Sequence, residues 1–238
     1  MLQESSIYIL NDIQDIEKDR LHPKKKNRPI ASGAVSVIEG LFLLLLSLVI
    51  AVLFNAITSD GYHSYIWLGF YFLLNVLYSK KLKDVPIVDV VILVSGFLIR
   101  LMYGGVVTNV VISRWLYLTV IMVSFYMGLG KRRNELGKEK SENNTRRVLK
   151  YYNYAFLDKN MYLSLGLAEA FYALWAIDSP QQELLWTVPL IIIIGMKYSL
   201  NIEGESDGDP VEVILKDKYL WVLGLIYMIL VAYIIYWR

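Results

Sequence analysis

The sequence predicts an all-α protein, a polytopic transmembrane helical bundle with seven full spans plus the end of an eighth. Three observations predict it. Of the 238 residues, 56% are hydrophobic and the mean hydropathy is +0.44, above the roughly half-apolar usage of a soluble domain. The apolar residues gather in runs close to the ~20 residues that cross a bilayer core. The loops between runs alternate sharply in basic content.

Taken in order, residues 2–10 read as the last turns of a helix, and runs at 35–55, 64–79, 85–108, 114–130, 161–178, 183–200 and 219–236 read as spans. They are apolar on every face, as in 41–50 (LFLLLLSLVI), rather than striped like a helix on a soluble core. The loop before the first run carries Lys18, Arg20, Lys24, Lys25, Lys26 and Arg28; the second basic loop has Lys80, Lys81 and Lys83; the third, 131–159, has nine basic residues; the last has Lys216 and Lys218. The opposite loops near 56–63 and 179–182 have none, and only Arg114 and Arg238 lie on that side. The four basic loops are therefore expected in the cytoplasm, in a multi-pass protein of the plasma or inner membrane. No cysteine is present, which excludes disulfides and thiol chemistry. Nothing points to nucleic acid, membrane lipids are the expected surroundings, and homo-oligomerisation is left open.

The first basic loop is also acidic. Asp12, Asp15 and Asp19 fall at i, i+3 and i+7, within about 60° of one another on a helix at ~100° per residue. Glu17 lies about 140° from Asp12 and stays outside the set. Three carboxylates on one face repel unless a cation joins them, and Mg2+ takes oxygen ligands that phosphates commonly complete.

Asn11-Asp12-x-x-Asp15-x-x-x-Asp19-Arg20, then Pro23, then Arg28-Pro29-Ile30-Ala31-Ser32-Gly33, resembles the first aspartate-rich motif of the UbiA superfamily of intramembrane prenyltransferases. The resemblance implies a Mg2+-diphosphate clamp at the cytoplasmic mouth of a helical bundle, with Asp12, Asp15 and Asp19 as catalytic metal ligands. Aromatic prenyltransferases of the superfamily carry a second aspartate-rich motif in a later cytoplasmic loop. Here that place holds Gly128-Leu129-Gly130-Lys131-Arg132-Arg133-Asn134-Glu135-Leu136, a cationic string suited to meeting phosphate oxygens directly. It resembles the decaprenyl-phosphate phosphoribosyltransferase branch, as do Tyr78-Ser79-x-x-Leu82-Lys83 with Asp89, Ser95-Gly96-Phe97-x-x-Arg100 with Gly104-Gly105, and Asp209-Pro210-x-Glu212 with Lys216-Asp217. Against that branch, residues 1–238 read as one membrane-embedded transferase domain without its expected first helix and most of the second.

The resemblance implies transfer of a 5-phosphoribosyl group from phosphoribosyl diphosphate to a polyprenyl phosphate, with Mg2+. Asn11, Lys26, Arg28, Tyr78, Lys81, Lys83, Asp89, Lys131, Arg132, Arg133 and Glu135 are then the expected substrate-binding residues. No general base is required, because a phosphate monoester is already ionised near neutral pH, so neither His22 nor His63 is assigned. Arg100, inside an apolar run, is either functional or a structural partner for Glu169; Asp89 stands about 16 Å from it along a helix axis, too far to pair. The acidic 204–210 stretch (GESDGDP) is a candidate cap for the mouth. Competing readings are a prenyl diphosphate transferase with another acceptor, a transporter and an inactive truncated homologue.

Overall fold

Apolar runs bounded by Gly, Pro and charge become helices here because nothing in them competes with the i→i−4 ladder and every face can be buried in lipid or protein. In the computed structural model, residues 2–21, 25–58, 61–139, 147–204 and 210–237 are described. The helices are α1 (Leu2–Gln14), α2 (Ile16–Leu21), α3 (Val37–Thr58), α4 (Tyr62–Lys80), α5 (Val88–Thr108), α6 (Arg114–Glu139), α7 (Tyr154–Asp178), α8 (Val188–Glu203), α9 (Pro210–Lys216) and α10 (Lys218–Trp237). No strand occurs among the described residues. Residues 205–209, most of the candidate cap, lie outside them.

A helix stands at each of the seven predicted runs. Four stretches, Val37–Thr58, Val88–Thr108, Gln182–Glu203 and Lys218–Trp237, are long and apolar enough to cross a membrane by length and composition. The other three are more polar: α6 ends in charges, and α7 carries Asp158, Lys159 and Glu169. Before α8, Gln182–Thr187 forms a 3-10 helix, and Pro189 sits in the first turn of α8 itself, where its missing N–H costs nothing.

The chain gathers into two units, Met1–Ile92 with Ile99–Val111, and Leu93–Leu98 with Ile112–Arg238. In the first, α1 packs on α3 and α4, and Ile7, Tyr71 and Ile99 form a buried cluster backed by Trp67, Phe72 and Leu74. The start of α3 is held by a capping box: Ser36 N–H donates to Glu39 (2.8 Å) and Glu39 N–H to the Ser36 hydroxyl (3.2 Å). A buried polar clasp joins α3, α4 and α5: Asn55 Nδ2 donates to Ser64 Oγ (2.9 Å) and the Tyr103 hydroxyl to Asn55 Oδ1 (2.9 Å). In the second unit, α6 packs along α7, and α8 meets α7 and α10. Asp217 caps α10, accepting from the backbone N–H of Tyr219 (2.7 Å) and Leu220 (3.2 Å), from Asn201 Nδ2 (2.8 Å) and from Lys197 Nζ (2.7 Å). These donors hold the Asp217 carboxyl well below the usual carboxylate range, the lysine contributing most.

Candidate functional site

The acidic motif is built at a break. Asp15 is a turn residue between α1 and α2, although Asp15 N–H still bonds to Asn11 O (2.9 Å) and Asp19 N–H to Asp15 O (2.8 Å). The continuous helix face expected for the three aspartates is therefore interrupted at its middle member. Asp12 and Asp19 converge instead on one nitrogen of Arg28: Nη1 lies 2.7 Å from Asp12 Oδ1 and 2.9 Å from Asp19 Oδ2. Asp15 turns to Lys83, whose Nζ lies 3.2 Å from Oδ2. Asn11 accepts a hydrogen bond from the Ser79 hydroxyl at the end of α4.

Arg28 reaches the aspartates because of the turn that follows it. Ser32 N–H bonds to Arg28 O (2.8 Å), Val35 N–H to Pro29 O (3.0 Å) and Arg20 Nε to Ala31 O (3.1 Å). Ile30 and Ala31 are buried as pegs. Gly33 adopts φ 81°, the left-handed region that a glycine enters without strain. The R-P-x-x-S-G string is thus a device for fixing a guanidinium against two carboxylates.

Asp19 is almost wholly buried and Asp12 half so. Burial pushes the Asp12 carboxyl above the ordinary carboxylate range; Arg28 pulls it down, and the charges of Asp19 and Asp15 add to the upward push. Among the described residues no three acidic, His or Cys side chains are gathered closely enough to cage a metal by themselves. The donor set still suits a hard divalent ion: two carboxylates converge on one cationic position, and their remaining partners would be phosphate oxygens and water, as Mg2+ prefers.

The other predicted residues fall as follows. Lys26 and Lys81 are exposed and Tyr78 is half-buried. Asp89 is fully buried in the first turn of α5, two residues after Ile87, a β-branched residue held at φ 68°. Such an outlier is costly for isoleucine and marks an over-determined helix start. Arg100 donates to the Tyr71 hydroxyl (2.6 Å) and lies over that ring. Glu169 lies half-buried on α7 in the second unit.

In the second unit, Arg132 is fully buried with Nη1 on Glu135 Oε2 (2.7 Å). Arg133 Nε meets Asp158 (2.5 Å) and its guanidinium lies over Tyr154. Lys131 is half-buried and has no ion pair among the described residues. Among the described residues, two of the three adjacent cations are therefore held by acidic neighbours and the third makes no ion pair. Sequence reasoning missed Ser79 and Asp158 as partners. Ser79 lay inside a quoted string, while Asp158 carried no local signal beyond an acid near the start of α7.

Residues 1–135 match the model of the UbiA prenyltransferase family. The chain is 33% identical to the decaprenyl-phosphate phosphoribosyltransferase of Corynebacterium glutamicum, over 98% of this chain and 72% of that protein. It is 34% identical to the protein of the same name from Mycolicibacterium smegmatis, over 94% and 74%. In fold it is similar to a UbiA homologue from Archaeoglobus fulgidus solved with GPP and Mg2+, with a TM-score of 0.71 at 17% identity, over 98% of this chain and 85% of that one.

Proposed function

Because the chain belongs to the UbiA prenyltransferase family and is an integral membrane protein, we propose that it transfers the 5-phosphoribosyl group of phosphoribosyl diphosphate to a polyprenyl phosphate. The ribose C1–O bond breaks with its electron pair leaving on diphosphate, and a lipid phosphate oxygen forms the new bond to C1. One observation carries the choice of donor: where the aromatic prenyltransferases that this chain resembles have a second acidic motif, α6 ends in Lys131, Arg132 and Arg133. A lipid diphosphate bridged by metal at both ends would call for acids there, whereas a separate phosphate calls for cations.

Asp12 and Asp19 would hold Mg2+, with Asp15 beside them. Bound there, Mg2+ neutralises charge on the departing diphosphate. Arg28 and Lys83 can exchange their carboxylates for diphosphate oxygens, so that each keeps a counter-charge before and after binding. Ser79 orients Asn11, and Asp89 is assigned to the ribose or the metal. Lys131 is the cation readiest for the 5-phosphate or the lipid phosphate, with Arg132 and Arg133 setting its surroundings. Tyr78, Lys26 and Lys81 complete the anion-binding set. No residue need act as a base, since the lipid phosphate is already ionised. The basic loops support a plasma-membrane protein reacting on its cytoplasmic side.

The test offers the reconstituted protein two donors, phosphoribosyl diphosphate labelled in the ribose and a labelled polyprenyl diphosphate, each with Mg2+. Label from the ribose passing to polyprenyl phosphate is expected. Consumption of the prenyl diphosphate alone would replace this reading with prenyl transfer.

A further inference from the structure

The second unit holds a half-open cavity of about 540 Å3 between α6, α7, α8 and α10, within the usual range for a small-molecule site. Its wall is almost entirely apolar and aromatic, with Tyr126 and Tyr172 among the rings. Both hydroxyls are already engaged, Tyr126 with Ser199 and Tyr172 with Thr187, each at 2.5 Å. Two polar groups on the wall are not so engaged. The Thr119 hydroxyl is buried without a hydrogen-bond partner among the described residues. The Glu169 carboxyl, midway along α7, makes no hydrogen bond or ion pair among the described residues.

An ionisable group in such a place is costly and is functional by default. The unmet buried hydroxyl of Thr119 likewise carries a penalty that a partner would remove. The backbone makes room for this carboxyl. A Cβ on Gly195 would stand 2.7 Å from Glu169 Oε1, so the carboxyl packs directly against this glycine, whereas a Cβ on Gly224 would meet nothing within 4 Å and opens on the cavity.

We propose that this cavity is a binding site for a hydrophobic ligand whose polar end donates a hydrogen bond, a long-chain amine or alcohol, seated with its donor on Glu169 and its chain among the aromatic and aliphatic walls. A carboxylate on the wall disfavours an anionic head, so the preferred ligand is not the lipid phosphate of the transfer reaction. The site stands independently of that reaction.

The experiment measures binding of three probes of equal chain length, a C16 amine, a C16 alcohol and a C16 carboxylic acid. Each is titrated into the full-length protein in lipid nanodiscs and followed by tyrosine and tryptophan fluorescence and by melting temperature. The amine and alcohol are expected to bind saturably and the acid weakly. Glu169→Leu should weaken the amine and alcohol by about tenfold or more, the factor for losing a hydrogen bond to a charged acceptor, and strengthen the acid, whose head no longer faces a carboxylate. Gly224→Trp, which fills the cavity, should abolish binding of the amine and alcohol while the protein still melts cooperatively. The proposal is overturned if the three probes bind alike, if none binds, or if Gly224→Trp leaves binding intact. Unequal affinity of amine and alcohol would say which source supplies the donor, and both orders uphold the site.

Discussion

Replacing Arg28 by alanine removes the one cation that Asp12 and Asp19 share at 2.7 and 2.9 Å. Stripping one partner from a buried ion pair costs about 3–5 kcal/mol. Arg28 is 39% exposed, however, and its side of the pair is screened by water. Asp19, only 5% exposed, is the group left without compensation. A destabilisation of about 2 kcal/mol follows, and for a chain of this length that lowers Tm by about 4–8 °C. The assay is thermal melting of the purified protein in detergent, first with chelator and then across a Mg2+ titration. In chelator the variant should melt lower than the parent. Added Mg2+ should restore most of the loss, because a divalent ion replaces the missing guanidinium, and its half-point should come at lower Mg2+ than in the parent, where Arg28 competes. Equal melting of the two proteins in chelator, or a loss that Mg2+ does not repair, would refute the reasoning that these carboxylates form a cation site held by arginine.

The adjacent cations of α6 should separate by readout. Arg132→Ala, at a fully buried guanidinium on Glu135, should lower Tm by several degrees, while Lys131→Ala should leave Tm within about 1 °C and weaken phosphoribosyl diphosphate binding in a titration. Asp217 has a folded pKa below its unfolded value, so its stabilisation is present at neutral pH and is lost as pH falls below about 4. The melting difference between the parent and Asp217→Asn should therefore be full at pH 7 and should narrow, without closing, as pH falls from 4 to 3. Asn55→Leu leaves the Ser64 and Tyr103 hydroxyls of the buried clasp without their partner and should cost about 1–3 kcal/mol, read as a lower Tm with unchanged Mg2+ response.

The helices were legible because a run such as 41–50 allows no other reading in an apolar surround, and the structure puts α3 over it. Boundaries were less so. Apolarity ends α6 near residue 130, yet the helix continues to Glu139 because Lys, Arg, Glu and Leu are good helix formers whether or not lipid is present. Likewise α7 begins at Tyr154, capped by Asn153 accepting from Phe156 N–H (2.8 Å), well before its apolar stretch. At the site, residue types were legible and pairings were not. Spacing alone put Asp12, Asp15 and Asp19 on one face, but the break at Asp15 and the reach of Arg28 depend on how the Gly33 turn folds back. The contact between Lys83 and Asp15, like the glycine-lined cavity around Glu169, arises only from packing between helices distant in sequence.

The most direct measurement follows ribose-labelled phosphoribosyl diphosphate into polyprenyl phosphate in liposomes holding either the parent protein or Asp12→Asn, with folding of both verified by melting. The account predicts label in the lipid with one diphosphate released per transfer, and a loss of at least about a hundredfold in the variant, as for removal of a group that stabilises developing charge. Transfer that persists undiminished in Asp12→Asn, or a parent protein that leaves the ribose label in water while consuming a prenyl diphosphate, would contradict it.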